Sequence, residues 1–149
     1  MKQVLEYKAR AAHVKILDIE GTSTQVKGNP IKFNQVITNL VSNAIDSYES
    51  VGRTDKKIEI KLKKIKNMIK LEIQDWGSGI MKRDMPHIFE PLYTTKPVNK
   101  GMGLGLSICD DIIRYDLQGK CTVQTEVGKG TTFTIDFPHQ FSQRNSENN

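Results

Sequence analysis

Apolar residues recur at three and four positions between Phe33 and Tyr48, the spacing of one helix face. The stripe is Phe33, Val36, Ile37, Leu40, Val41, Ala44, Ile45 and Tyr48, and Gly28-Asn29-Pro30 supplies a start signal before it. A second helical pattern spans Leu104 to Leu117, with Leu106, Ile108, Ile112, Ile113 and Leu117 apolar and Gly119 as the stop. Elsewhere the period is two. Ile58, Ile60 and Leu62 alternate with charge, Lys66-Asn67 turns, and Ile69, Leu71 and Ile73 alternate again, which predicts a hairpin ending at Asp75. Cys121–Val127 and Thr132–Phe137 are two further strands joined by Gly128-Lys129-Gly130. Near the start, Val14 to Ile19 and Ser23 to Val26 read as an edge hairpin turned at Gly21.

Three segments complete the plan. Residues 1–12 carry a loose apolar edge (Val4, Leu5, Ala9, Ala12), too short for an independent helix, and read as the remnant of an upstream one. Lys82 to Phe89 is a short helix or turn, and Pro91 to Gly103 has little to bury, as in a lid ordered by ligand. After Pro138 the polar stretch 139–149 is expected to be disordered. The expected fold is α+β: a two-layer sandwich of one mixed, mostly antiparallel sheet with about three helices on one face, over residues 13–138.

Composition narrows the function classes. At 149 residues with 37% hydrophobic and 26% charged content, the chain suits one globular domain. It holds no apolar run of membrane-spanning length. The net charge of +5 raises nucleic acid as a partner. The lysines, however, alternate with apolar residues along one hairpin and have no aromatic residues between them for base stacking, so a solvated basic face is expected instead. Cys109 and Cys121 lack metal-type spacing and are expected to be reduced thiols.

Candidate chemistry lies between Asp75 and Leu106. Asp75-Trp76-Gly77-Ser78-Gly79 sets a lone carboxylate before a glycine turn, which suits recognition of a base. Gly101-Met102-Gly103-Leu104-Gly105-Leu106 runs into a helix, where backbone N–H groups can hold phosphate. At 100° per residue, Asn39, Asn43 and Asp46 fall along one border of the first helix's apolar stripe. Polar groups there need partners; they either bond neighbouring backbone or line a site, and the two asparagines four residues apart favour the site.

Taken in order, Asn39-Leu40-Val41-Ser42-Asn43, the Asp75 glycine turn, the Gly101–Leu106 cluster and Gly128-Lys129-Gly130-Thr131-Thr132 resemble the four boxes of a bacterial sensor histidine kinase's ATP-binding catalytic domain. That family belongs to the gyrase, heat-shock chaperone, histidine kinase and mismatch-repair ATPase superfamily, whose fold is the Bergerat type. The likeness covers about residues 13 to 137. Phe89-Glu90-Pro91, with Thr94-Thr95-Lys96-Pro97 after it, is similar to the nitrogen-regulation type of kinase.

The resemblance implies ATP and Mg²⁺ as cofactors. Asn43 would ligate Mg²⁺, with Asn39 beside it, and Asp75 would accept from the adenine amine. Gly77 and Gly79 would turn beside the base, with Ile80 on its face and Thr131 completing the contact. Gly101, Gly103, Leu104, Gly105 and Leu106 would form the phosphate end. Phe89 reads either as an aromatic under the lid or as ordinary core, and Lys96 either as a γ-phosphate contact or as a surface lysine. Two departures stand out: Asp46-Ser47 stands where many relatives carry Lys-Tyr or similar, so a phosphate-facing cation is missing from that helix, and Thr94 stands where many carry an arginine.

Asn39 stands where hydrolytic relatives place a glutamate base. A histidine nucleophile already offers a lone pair, so this position favours histidine phosphorylation over ATP hydrolysis. None of His13, His87 and His139 resembles a phosphoacceptor. The expected partners are therefore a phosphoacceptor-histidine dimerisation domain of the same kinase, a downstream response regulator, and a second copy of the parent protein as a homodimer. The domain is expected to be cytoplasmic, without nucleic-acid or membrane contact, in a parent protein with or without a membrane anchor. The alternatives are a degenerate nucleotide-binding or interaction module, favoured by the departures, and an ATP-hydrolysing member of the superfamily.

Overall fold

Helix α2 (Pro30–Asp46) forms where the three-and-four spacing is densest. Val36, Leu40, Val41, Ala44 and Ile45 are buried by it, while Phe33 and Ile37 pack on that core with partial exposure. Burying such side chains contributes ~1.5–3 kcal/mol each, so packing holds this helix more than intrinsic propensity does. The computed structural model describes residues 2–20, 30–94 and 105–139.

Around α2 lie helix α1 (Lys2–Ala11), helix α3 (Gly105–Asp111) and a sheet of β1 (Lys15–Glu20), β2 (Lys57–Ile65), β3 (Met68–Asp75), β4 (Lys120–Glu126) and β5 (Gly130–Pro138). The strand order is β1-β2-β3-β5-β4. β1 runs parallel to β2 and the other pairs are antiparallel. The chain is thus a two-layer α/β sandwich. Its core lies between the helices and the sheet face carrying Ile58, Ile69, Leu71, Ile73, Phe133, Ile135 and Phe137.

Alternation decides what this face carries at its end. In β3, Ile69, Leu71, Ile73 and Asp75 are all buried, and in β5 so are Thr131, Phe133, Ile135 and Phe137. The register sets Asp75 opposite Thr131 and Thr131 opposite Thr125. One edge of an apolar face therefore ends in a polar row across three strands.

Several expectations change in detail. β1 pairs with β2, Ile16 opposite Ile58; the strand expected at residues 23–26 lies outside the described residues, as does the tail from residue 140. The 82–89 segment contains only a 3-10 turn, Met85–His87. The helix expected to reach Leu117 is α-helical to Asp111 and then widens into a π-turn, Ile112–Asp116. There the Leu117 N–H donates to the Ile112 carbonyl at 2.9 Å, five residues back. Gln118, not Gly119, takes the left-handed conformation after it (φ 53°). Cys109 and Cys121 are free thiols. Burial pushes Cys109 up to about 11 and Cys121 up to about 12, which keeps both protonated at neutral pH.

Candidate functional site

Asp75 is 4% exposed. Its Oδ1 accepts from the Gly77 N–H at 2.9 Å and from Ser47 Oγ at 3.2 Å, and its carboxylate also accepts from the backbone of Thr131. Burial is the largest influence and raises its pKa above the ordinary 3.8, against those three hydrogen bonds. A carboxylate held at this cost, with one oxygen taken by internal donors, suits recognition of an external donor.

The turn after Asp75 is fixed from two sides. The Tyr48 hydroxyl, at a fully buried ring, accepts from the Trp76 N–H at 2.9 Å and the Lys57 N–H at 3.4 Å and donates to the Lys57 carbonyl. Arg53 Nη1 donates to the Trp76 carbonyl at 3.0 Å, and Lys57 Nζ lies 4.5 Å from the Trp76 ring centroid. Gly77 is needed for close approach: a Cβ there would stand 2.1 Å from Ser47 Oγ. Gly79 has φ 73° and would meet the Glu126 carbonyl.

Thr131 is 5% exposed. Its Oγ1 lies 3.0 Å from Thr125 Oγ1, which donates to the Gly130 carbonyl at 3.1 Å and accepts from the Ile80 N–H at 2.9 Å. Thr125 has one hydroxyl proton, so Thr131 is the donor between the two hydroxyls. Ile80 itself packs against the core edge. Gly130 (φ 119°) passes so close to β3 that a Cβ would lie 2.1 Å from the Asp75 carbonyl. Gly130→Ala is expected to lower stability by about 3 kcal/mol or more, read from urea unfolding, since neither the conformation nor the space admits a side chain.

Along α2, Asn39, Asn43 and Ser47 stand four residues apart. Asn39 Nδ2 donates to the Gly105 carbonyl at 3.4 Å, tying α2 to the start of α3. The Asn43 carbonyl accepts from the Ser47 N–H at 3.0 Å, carrying the helical bonding one residue past Asp46. The row, roughly 12 Å long at 1.5 Å per residue, thus runs from Gly105 at one end to Asp75 at the other. Asp46 leaves that row. It pairs with Lys8 of α1 at 2.8 Å, and Lys8 Nζ also donates to Ser42 Oγ at 2.6 Å.

Leu106 and Phe89 each pack, partly buried, against the core. Lys96, Gly101, Gly103 and Leu104 lie outside the described residues. The histidines have structural settings: His13 follows α1 with φ 57°, His87 contacts Glu90 at 2.9 Å, and the His139 N–H donates to the Asn67 carbonyl at 2.8 Å. A groove of about 660 Å³ between α1, α2 and the β1–β2 edge, floored by Ala9, Val41 and Ile60, includes none of the glycine clusters.

Sequence reasoning missed Ser47, Tyr48 and Thr125 as site supports. Ser47 stood out only as a departure from a pattern, and Tyr48 only as an apolar stripe member. Thr125 had the inward parity of its strand but no motif around it.

No group of three or more His, Cys, Asp or Glu side chains suited to a metal occurs among the described residues. No helix there is long and apolar enough to cross a membrane. Residues 28–140 match the family described as histidine kinase-, DNA gyrase B-, and HSP90-like ATPase. The C4-dicarboxylate transport sensor protein DctS of Rhodobacter capsulatus is 31% identical over 87% of this chain and 20% of its own length. Sporulation kinase A of Bacillus subtilis is 34% identical over 80% of this chain and 18% of its own. The chain thus spans about a fifth of these relatives. Among solved structures, the catalytic domain of histidine kinase ThkA aligns with a TM-score of 0.77 at 28% identity, over 92% of this chain and 88% of that one. ThkA in complex with the response regulator TrrA aligns at 0.73 and 26%, over 95% of this chain and 39% of that one.

Proposed function

The chain belongs to the histidine kinase-, DNA gyrase B- and HSP90-like ATPase family, and from that premise we propose that it binds Mg²⁺-ATP and presents the γ-phosphate to a histidine on a dimerisation domain of a sensor kinase. The observation that carries this reading is the row Asn39–Asn43–Ser47, which links Gly105 at the start of α3 to the buried Asp75 carboxylate. A nucleotide laid along it has its base at Asp75 and its phosphates at Gly105.

Asp75 accepts from the adenine amine, a donor guanine lacks at that position, and Thr131 completes the polar row beside it. Asn43 offers an amide oxygen. That single ligand fits Mg²⁺, which keeps waters and phosphate oxygens as its other ligands and needs no cage of carboxylates. When bound, the ion offsets charge on the phosphates. Asn39 holds the α3 end and supplies no base, which suits a neutral imidazole as the acceptor rather than water. Lys96 is assigned to the γ-phosphate in this reading. The parent protein then works as a homodimer with a response regulator as its downstream partner, and this domain faces the cytoplasm.

Calorimetric titration with ATP, with Mg²⁺ and with excess chelator, is the direct test. Affinity is expected to fall on chelation, and Asn43→Ala is expected to remove that difference; no binding under either condition would instead favour the interaction module. With the longer parent protein and radiolabelled ATP, an acid-labile phosphoprotein marks phosphohistidine. Release of inorganic phosphate alone would favour the hydrolytic alternative.

A further inference from the structure

We propose that Ser47 is the positioning residue for base recognition: with the Gly77 N–H, its hydroxyl occupies one oxygen of Asp75 and so aims the other at the nucleotide. The proposal rests on the ATP reading above and concerns a residue whose type departs from the pattern the chain otherwise resembles.

The geometry is specific. Ser47 Oγ lies 2.6 Å from the Ala44 carbonyl and 3.2 Å from Asp75 Oδ1. A serine has one hydroxyl proton, and both neighbours accept. With Asp75 ionised, the charged oxygen draws that proton. With Asp75 protonated, the hydroxyl donates instead to the Ala44 carbonyl, so its bond to the carboxyl belongs to the charged form. The hydroxyl therefore favours the ionised carboxyl and holds it in place.

Position 47 is also confined. A Cβ at Gly77 would overlap Ser47 Oγ, and the Ser47 carbonyl accepts from the Ser78 N–H at 3.0 Å. A large side chain at 47 would push the turn off the base. Serine is small enough to pass Gly77 and polar enough to reach Asp75.

The surroundings leave few other influences on the carboxyl. Tyr48 faces it from the end of α2, and burial keeps that phenol protonated. Thr131 faces it from β5. Arg53 and Lys57 are engaged with Trp76. Burial raises the Asp75 pKa, and the Gly77, Ser47 and Thr131 hydrogen bonds oppose it. Removing the Ser47 hydroxyl takes away a donor that favours the charged form, so the pKa rises further. Binding needs the carboxylate and is lost as pH falls through that pKa. The acid limit of ATP binding must then move to higher pH.

The test is Mg²⁺-ATP titration of wild type, Ser47→Ala and Ser47→Thr from pH 7.5 downward, with melting of each ligand-free protein. Ser47→Ala is expected to bind about tenfold more weakly at neutral pH, with its acid limb displaced upward and its melting little changed. Ser47→Thr, which returns a hydroxyl, is expected to recover both affinity and limb. A Ser47→Ala profile superimposable on wild type overturns the proposal. So does an affinity loss equal at every pH that threonine does not restore. Should the alanine variant fail to fold, the threonine profile decides: a limb at the wild-type position supports the proposal and a displaced one overturns it. Wild type that binds no ATP at any pH refutes the underlying ATP reading instead.

Discussion

Asp75→Asn is expected to weaken ATP binding by at least about a hundredfold while leaving the ligand-free domain as stable as wild type or more so. The affinity loss follows from the donors around Oδ1. The Gly77 N–H requires an acceptor there and Ser47 Oγ–H also points to it, so the asparagine turns its carbonyl oxygen toward them. Its amide NH₂ then faces the adenine amine, donor against donor. A charge-assisted hydrogen bond contributes ~1.5–3 kcal/mol, and leaving donors unpaired adds to the loss.

The stability half follows from linkage. Burial raises the Asp75 pKa above its ordinary 3.8. The folded state therefore favours the protonated carboxyl, and that contribution is full below the unfolded pKa and lost as pH rises through the folded one. At pH 7 the ionised group is a burden on the fold that a neutral amide relieves. Melts of both ligand-free proteins at pH 7 should show the variant equal or higher, with its relative advantage gone near pH 4. A markedly lower variant melt at pH 7 would mean that the carboxylate's hydrogen bonds outweigh its desolvation.

Tyr48→Phe is expected to be the most damaging single-oxygen deletion, at about 2–4 kcal/mol. The ring is fully buried, and its hydroxyl satisfies the Trp76 N–H, the Lys57 N–H and the Lys57 carbonyl. Phenylalanine fills the same volume but leaves these backbone groups without their partner, at ~1–3 kcal/mol per unsatisfied group. For a domain of this size that corresponds to a fall in melting temperature of roughly 10 °C. Because Trp76 opens the turn that carries Gly77, ATP affinity should fall with it. Urea unfolding and calorimetry on the same samples would check both effects, and a loss under 1 kcal/mol would show that water replaces the hydroxyl.

The match between sequence and structure is uneven for physical reasons. The α2 stripe and the β2–β3 and β4–β5 strands follow from periodicity, because each buries one face against a single core. The inward position of Asp75 was also legible, since it continues the alternation of Ile69, Leu71 and Ile73. The pairing of β1 with β2 was not legible: a parallel neighbour 42 residues away, Lys15 beside Lys57, leaves no local turn signal. The π-turn at Ile112–Asp116 keeps the apolar order of a helix, so periodicity could not separate the two.

The sequence alone determined the layers, the parity of each strand and the order of the boxes, because these depend on side chains a few residues apart. The tertiary structure decided which side chains do which work. It turned Asp46 toward Lys8 of α1, brought Ser47 to Asp75 across 28 residues, and made Tyr48 a bracket for the Trp76 turn. Such partners are chosen by the packing of α2 on the sheet, and no spacing along the chain encodes that contact.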